Sequence, residues 1–179
     1  PFMRGVLCMS FISPDYVVFF AAVIPLFFVL PHRWRWVLLL IASYYFYGYY
    51  NAWYLPLIIL TSAANYAAAL VIDRTDNPRR RRVALWGAVI VSLTLLFVFK
   101  YFNFASRSVS ALTGQTPLLL DLVLPVGISF YTFQAMAYTI DVYRREIKWE
   151  PSLLKFATFI ALFPQLVAGP IVRAVDFLY

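Results

Sequence analysis

The longest charge-free stretch of this chain is 37 residues long and covers positions 36–72. As one α-helix it would measure about 55 Å, whereas the hydrocarbon core of a bilayer is about 30 Å thick. The stretch therefore has to turn once, and we expect the turn between Gly48 and Asn51. Aromatic residues crowd this region, which predicts an interfacial belt, with a carbohydrate-stacking surface as the alternative interpretation.

Composition places the chain among membrane proteins. Of its 179 residues, 63% are hydrophobic and only 13% are charged, against about 25% charged residues in a typical soluble domain. A soluble core could not bury so much apolar surface. The net charge of +7 would favour nucleic acid as the partner of a soluble protein, but basic loops also orient membrane helices. We therefore expect the lipid bilayer as a partner and no nucleic acid.

Apolar segments between charged loops predict an all-α, polytopic transmembrane helical protein with about six spans. Residues 1–8 are expected to be an N-terminal appendage and residues 9–179 one membrane unit. Lys100–Thr116 mixes aromatic and polar residues in a pattern typical of one amphipathic helix in the membrane interface. The fifth and sixth spans, over 122–140 and 156–172, carry no charge but are interrupted by proline and glycine, so we expect broken helices there.

Lysine and arginine are distributed unevenly over the loops. The loops that follow the first, third and fifth spans hold 11 of these residues, and the opposite side holds 4. Because the basic side of a membrane protein faces the cytoplasm, both ends of the chain are expected outside it. In an alternative topology the sixth segment is re-entrant and does not span the membrane.

Polar residues recur along the fifth span and at its end. In lipid, a buried polar group is tolerated only where protein or a water-filled cavity receives it. Tyr131, Gln134 and Tyr138 are therefore expected either to line a cavity or to bond other helices. Asp141 and Arg144 lie three residues apart on one helical face, where they either pair with each other or serve a site.

The sixth span contains Gly169 and Pro170, and Arg173 follows three residues later. One interpretation is a simple kink. The other is an opening in the backbone that binds an anionic or acyl group beside Arg173. The single histidine, His32, lies in a basic loop, and Cys8 is the single cysteine, so we expect no metal site and no catalytic triad.

Three motifs of this chain resemble a known family. LPVGISFYTFQAMAYTIDVYR at 124–144, FPQLVAGPIVR at 163–173 and FKYFNF at 99–104 resemble the membrane-bound O-acyltransferases, in their alginate O-acetyltransferase-like branch. The resemblance implies transfer of an acetyl or other acyl group to hydroxyls of an exported polysaccharide such as alginate. It implies a multi-pass protein of the bacterial cytoplasmic (inner) membrane.

The same resemblance implies a donor, acetyl-CoA or an acyl carrier, presented from the cytoplasmic side. It also implies no bound cofactor, and polysaccharide-modifying partner proteins outside the membrane. Enzymes of the family are far longer than this chain, and their catalytic histidine lies in their later half. We therefore expect the chain to match their N-terminal part and to be inert alone.

Two alternative functions stay open at this point. One is transfer of D-alanyl or another acyl group to a cell-wall polymer, and the other is a non-enzymatic transporter or channel subunit. In the preferred interpretation, seven residues form the binding site. They line its cavity or break the helices around it, and none of them is catalytic. These residues are Tyr131, Gln134, Asp141, Arg144, Gly169, Pro170 and Arg173.

Overall fold

The computed structural model describes residues 14–114, 116–119, 125, 127–168 and 172–178. Over these residues the regular structure is helical and contains no β-strand, which confirms the all-α prediction. The helices are α1 (Pro14–Val29), α2 (His32–Asn51), α3 (Leu55–Arg74), α4 (Pro78–Leu96), α5 (Phe102–Thr113), α6 (Ile128–Arg144), α7 (Leu153–Ala161), α8 (Phe163–Ala168) and α9 (Ala174–Leu178).

The chain forms two compact units. The first comprises residues 1–59 and 150–179, and the second comprises residues 60–149. The first unit therefore contains α1, α2 and α7 to α9, and the second contains most of α3 together with α4, α5 and α6. The predicted appendage at 1–8 lies outside the described residues.

The turn expected between Gly48 and Asn51 lies slightly later in the chain. α2 continues to Asn51, and a 3₁₀ turn at Ala52–Tyr54 separates it from α3. Pro56 explains the position, because proline lacks an N–H and its ring clashes with the carbonyl four residues earlier, at Ala52. Proline is tolerated in the first turn of a helix, so a new helix starts just before it.

The core of the first unit forms where α8 packs against α1 and α2. Phe163 is buried together with Val23, Ala42 and Phe46. The ring centroid of Phe163 lies 5.2 Å from that of Phe19 and 5.8 Å from that of Phe46, within the range favourable for aromatic pairs. Each such aromatic pair contributes about 0.5–1.5 kcal/mol beyond area burial, so Phe163 anchors the start of α8.

The sixth predicted span contains two helices, α7 and α8. Leu162, between them, has an extended backbone with ψ of 113°. If α7 continued, the ring of Pro164 would clash with the carbonyl of Ile160. The prediction of a broken helix is therefore confirmed at Pro164, whereas Gly169 and Pro170 lie outside the described residues.

The break between α7 and α8 frees a backbone amide, and a side chain pairs with it. The Phe163 N–H donates to Ser43 Oγ at 3.2 Å, and the Ser43 hydroxyl donates to the Leu39 carbonyl at 2.7 Å. Ser43 is fully buried. Because an unpaired amide in apolar surroundings costs several kcal/mol, this bond allows a broken helix to lie in the interior.

The second unit contains the longest helical path of the described residues. It runs over Pro78–Thr113, is 36 residues long and therefore measures about 54 Å. Asn77 caps its start, since the Asn77 side-chain oxygen accepts from the Arg79 and Arg80 amides at 3.0 and 3.4 Å. A π-helical segment, Phe97–Tyr101, joins α4 to α5.

The predicted amphipathic segment Lys100–Thr116 corresponds to α5 and the end of the π-helical segment. α5 ends at Gly114, which has the left-handed φ of 69° that glycine adopts at little cost. A helix at this position is therefore confirmed. Its location in a membrane interface stays a prediction.

α6 begins at Ile128, six residues later than the predicted fifth span. Gly127 precedes it with a φ of 71°, a backbone conformation that a residue inside an α-helix cannot have. Gly127 therefore sets the start of the helix.

Two helical paths in the described part of the chain are long and apolar enough to cross a membrane. They are Ala52–Arg74 and Pro78–Thr113, while Pro14–Val29 and Leu153–Gln165 are apolar but shorter. Helix length and composition therefore do not confirm the six spans predicted from the sequence. The break near Pro164 and the late start of α6 shorten the last two segments.

We expect Ser43→Ala to lower the free energy of unfolding by about 1–3 kcal/mol, because it leaves the buried Phe163 amide without its acceptor. The measurement is denaturant unfolding in neutral detergent. Ser62→Ala is the matched control, because Ser62 is also buried and its hydroxyl has no hydrogen-bond partner among the described residues. Equal losses in the two variants would contradict the proposed role of Ser43.

Candidate functional site

α6 carries four of the seven residues assigned to binding from the sequence. One side of this helix is buried, and the buried residues recur every three or four positions, as expected for a helix packed along one face. Tyr131 is 1% exposed and Gln134 is 4% exposed. The buried residues are Ile128, Tyr131, Thr132, Gln134, Ala135, Tyr138, Thr139 and Val142.

The buried face of α6 is polar to an unusual degree. Beside aliphatic residues it buries two tyrosines, two threonines and a glutamine. Buried polar groups need hydrogen-bond partners, so such a face is suited to contacts with other helices. The sequence left open whether Tyr131 and Gln134 line a cavity or bond helices, and their role in binding stays a prediction.

A hydrogen-bonded network links α6 to α3 and α4. The Thr139 hydroxyl donates to Asn65 Oδ1 at 2.9 Å, and Asn65 Nδ2 donates to Ser92 Oγ at 2.9 Å and to the Thr61 carbonyl at 2.9 Å. Asn65, Ser92 and Thr139 are fully buried. The network therefore fixes the rotation of three helices relative to one another.

The network includes two residues that the sequence interpretation did not single out, Ser92 and Thr139. The third member, Asn65, bonds the two neighbouring helices through these residues. Ser92 and Thr139 gave a weaker signal, because hydroxyl residues are common in membrane helices and often bond their own backbone. Thr139 is also within reach of such a partner, the Ala135 carbonyl, at 3.1 Å.

Asp141 and Arg144 lie in the last turn of α6. Asp141 is half-buried, and its carbonyl accepts the Glu146 amide at 3.0 Å. Arg144 is exposed, and its Nη1 lies 3.8 Å from Glu146 Oε1. Because exposed ion pairs contribute about 0–1 kcal/mol, this contact leaves the Arg144 guanidinium available to solvent.

At the other end of α6, Lys100 approaches the first turn. Its Nζ donates to Ser129 Oγ at 2.9 Å and lies 5.4 Å from the ring centroid of Tyr101. Lys100 belongs to the π-helical segment, a local irregularity that is frequent at functional sites. The contact therefore joins an irregular helical turn to the start of the helix that carries most of the predicted site.

Of the remaining predicted residues the structure describes Arg173, which belongs to the first unit. Arg173 is exposed and directly precedes α9, where its carbonyl accepts the Asp176 amide at 3.1 Å. Gly169 and Pro170 lie outside the described residues. The structure therefore places Tyr131, Gln134, Asp141 and Arg144 on one helix of the second unit and Arg173 in the first unit.

Chemically, the buried face of α6 offers neutral donors and acceptors that could hold a polar ligand or another helix. The charged groups lie at its ends. In the part of the chain that the structure describes, no group of three or more His, Cys, Asp or Glu side chains could hold a metal ion.

Comparison with known proteins identifies relatives that cover most of this chain. It is 38% identical over 165 residues to the probable alginate O-acetylase AlgI of Pseudomonas aeruginosa, which is 89% of this chain and 32% of the relative. Over 158 residues it is 40% identical to the protein of the same name from Pseudomonas syringae pv. tomato, which is 84% of this chain and 30% of that protein.

This chain is a relative of the alginate O-acetylases. The resemblance given by the three motifs is therefore confirmed, and it concerns the N-terminal part of these proteins. The peptidoglycan O-acetyltransferase of Helicobacter pylori is also similar, with 33% identity over 173 residues, 83% of this chain and 32% of that protein. The chain thus spans about a third of the length of its curated relatives. No family model and no solved structure matches it.

We expect the stability of this chain to depend on the coupling between Asn65 and Thr139. In a double-mutant cycle with Asn65→Ala and Thr139→Val, the coupling energy should be about 0.6 kcal/mol, and at most about 1.7 kcal/mol, as for hydrogen bonds between membrane helices. The measurement is the unfolding free energy of the four proteins in bicelles.

A second cycle pairs Asn65→Ala with Thr132→Val and serves as the control. Thr132 is fully buried on the same helix, but its hydroxyl has no hydrogen-bond partner among the described residues. The two changes should be additive within about 0.5 kcal/mol. A coupling in this cycle as large as in the first would refute the network.

Proposed function

We propose that this chain is part of a bacterial membrane O-acetyltransferase that transfers acetyl groups to hydroxyls of an exported polysaccharide such as alginate. The observation that carries the proposal is 38–40% identity over 84–89% of the chain to proteins named probable alginate O-acetylase. Since the chain spans about a third of these relatives, the activity of the whole protein is part of the proposal.

A second acceptor is favoured by a specific observation. One relative is named peptidoglycan O-acetyltransferase and is 33% identical over 173 residues. A cell-wall polymer and an exported polysaccharide both present sugar hydroxyls, so the reaction would be the same. The sequence identity to the alginate O-acetylases is higher, at 38–40%. Alginate or a similar exopolysaccharide is therefore the preferred acceptor.

The proposed location is the bacterial inner membrane, with several spans. An exposed apolar stripe on α4 supports it, because its residues are spaced by three or four positions and face away from the protein. Trp86 is 58% exposed and Ile90 is 59% exposed, whereas a soluble helix would bury such a stripe. On α4 the stripe consists of Val83, Trp86, Ile90 and Leu93, and it continues at Phe97 in the π-helical segment.

In the proposed reaction, the acceptor hydroxyl oxygen attacks the acetyl carbonyl carbon, and its proton passes to a general base. The bond from the acetyl group to its carrier then breaks. The donor would be acetyl-CoA or an acyl carrier, presented from the cytoplasmic side. The only histidine of this chain is His32, so we expect the base to come from the two thirds of the relatives that the chain does not match.

The proposed role of this chain is therefore structural and binding. Tyr131 and Gln134 would hold α6 in place or line the substrate path, and Asp141 and Arg144 would act at its cytoplasmic end. Gly169 and Pro170 would open the backbone beside Arg173 for an anionic or acyl group. Proteins outside the membrane would deliver or process the polysaccharide.

We expect cysteines introduced at Arg80 and Arg145 to be labelled from the cytoplasmic side, because both loops are strongly basic. A cysteine at the exposed Leu118 should be labelled from the opposite side. The background is Cys8→Ser, which removes the single native cysteine. Labelling of positions 80 and 145 from opposite faces would overturn the topology.

We expect Arg173→Ala to lower acetyl-ester formation about tenfold, the effect of losing one charge-assisted hydrogen bond. The assay replaces the matched third of the Pseudomonas aeruginosa relative with this chain and measures acetyl esters on alginate. Arg33→Ala, at another exposed arginine of the first unit, is the matched control. Unchanged ester formation at a normal protein level would exclude the proposed role of Arg173.

A further inference from the structure

A cavity of about 330 Å³ lies in the second unit, at the C-terminal end of α6. It is formed by the end of α3, the start of α4 and the turn after α6. Three cationic side chains line it, Arg81, Arg145 and Lys148, together with the carboxylates of Asp73 and Asp76. Aliphatic residues complete the lining. Such a cavity has the size of a binding site for a small ion or headgroup.

Arg81 is held rigidly at this cavity. Its Nη2 donates to the Tyr143 carbonyl at 2.6 Å, and its guanidinium lies 5.3 Å from the centroid of the Tyr143 ring. Arg81 also lines the cavity, so these two contacts fix a guanidinium, with its positive charge, beside it.

Arg145 has a backbone conformation that is unusual for its type. It follows α6 with a φ of 64°, in the left-handed region that glycine adopts more readily at this position. Its Nη2 lies 3.1 Å from Asp76 Oδ1, but the two side chains are 67% and 101% exposed. Because so exposed a pair is weak in water, Arg145 can exchange Asp76 for a more highly charged anion.

The surroundings of the cavity are strongly basic. Segments 73–82 and 141–148 together carry eight cationic and four acidic side chains. The general preference for basic cytoplasmic loops accounts for the excess of charge. It does not account for a cavity lined by three cationic side chains. It also does not explain why the Tyr143 carbonyl fixes Arg81, or why Arg145 has a left-handed backbone that glycine adopts more readily.

We propose that this cavity binds a phosphate group. Arginine presents a planar set of donors that matches phosphate oxygens, and lysine adds a point charge. The phosphate oxygens would accept from the guanidinium groups of Arg81 and Arg145 and from Lys148 Nζ. The phosphate belongs either to a soluble carrier or to a lipid headgroup, and the site does not depend on the proposed acetyl transfer.

The experiment titrates the full chain, in neutral detergent at low ionic strength, with inorganic pyrophosphate in a calorimeter. We expect saturable binding with a Kd below about 1 mM. Arg145→Gly should weaken it about tenfold, since it removes one charge-assisted bond. Glycine suits the left-handed backbone, so the fold should be retained, as checked by an unchanged or raised Tm.

Arg79→Ala is the matched control, because it removes the same charge from the same basic region but Arg79 does not line the cavity. Its effect should be less than about twofold. Arg81→Lys is a second variant that keeps the charge and removes the planar donors, and it should also weaken binding. Equal weakening by Arg79→Ala and Arg145→Gly would show diffuse attraction and overturn the site.

A parallel titration with nanodiscs that contain phosphatidylglycerol distinguishes the two sources of phosphate. Binding of pyrophosphate that depends on Arg145 supports a soluble carrier. Binding only of the anionic lipid, with the same dependence, supports a headgroup. If neither probe binds, or if neither responds to Arg145→Gly and Arg81→Lys, the proposal is wrong.

Discussion

Pairing of polar groups inside an apolar protein is the constraint on which this structure depends. An α-helix forms its backbone hydrogen bonds within itself, so helices form wherever the sequence permits. Where a helix is interrupted, the freed N–H and C=O groups need hydrogen-bond partners from other segments. The amide of Phe163, freed by the break before Pro164, donates to the hydroxyl of Ser43. The Thr139 hydroxyl donates to the side chain of Asn65. These contacts locate the elements more specifically than apolar packing, which is similar in every direction.

Helix content and most helix positions could be predicted from the sequence, because apolar segments and breakers are local signals. The helix start at Ile128 was misplaced, since Gly127 adopts a left-handed backbone that apolar composition does not reveal. The division into two units could not be predicted either, because it depends on which helices pack together. Proline gave the most reliable local signal, as at Pro164, since its effect on the backbone does not depend on neighbours.

The candidate site was predicted less completely. The sequence located Tyr131 and Gln134 on the fifth apolar segment, which corresponds to the partly buried helix α6. It missed Thr139 and the cavity at Arg81, because both depend on distant segments meeting. A run of arginines looks the same in sequence whether it only orients a helix or also forms a site. The contact between Arg81 and the Tyr143 carbonyl, seen in the structure, distinguishes these two roles.

The π-helical segment Phe97–Tyr101 has a consequence for how this protein can evolve. A π turn accommodates one more residue than an α turn, so it stores a single-residue insertion without breaking the helical path. Loss of one residue here, with a return to regular α-winding, would therefore leave α5 facing its present neighbours. Loss of one residue from the regular part of α4 would instead turn everything after it by about 100°. The π-helical segment is thus a position at which the long helix can change its length by one residue while the network at Ser92 and the two sides of α5 keep their contacts.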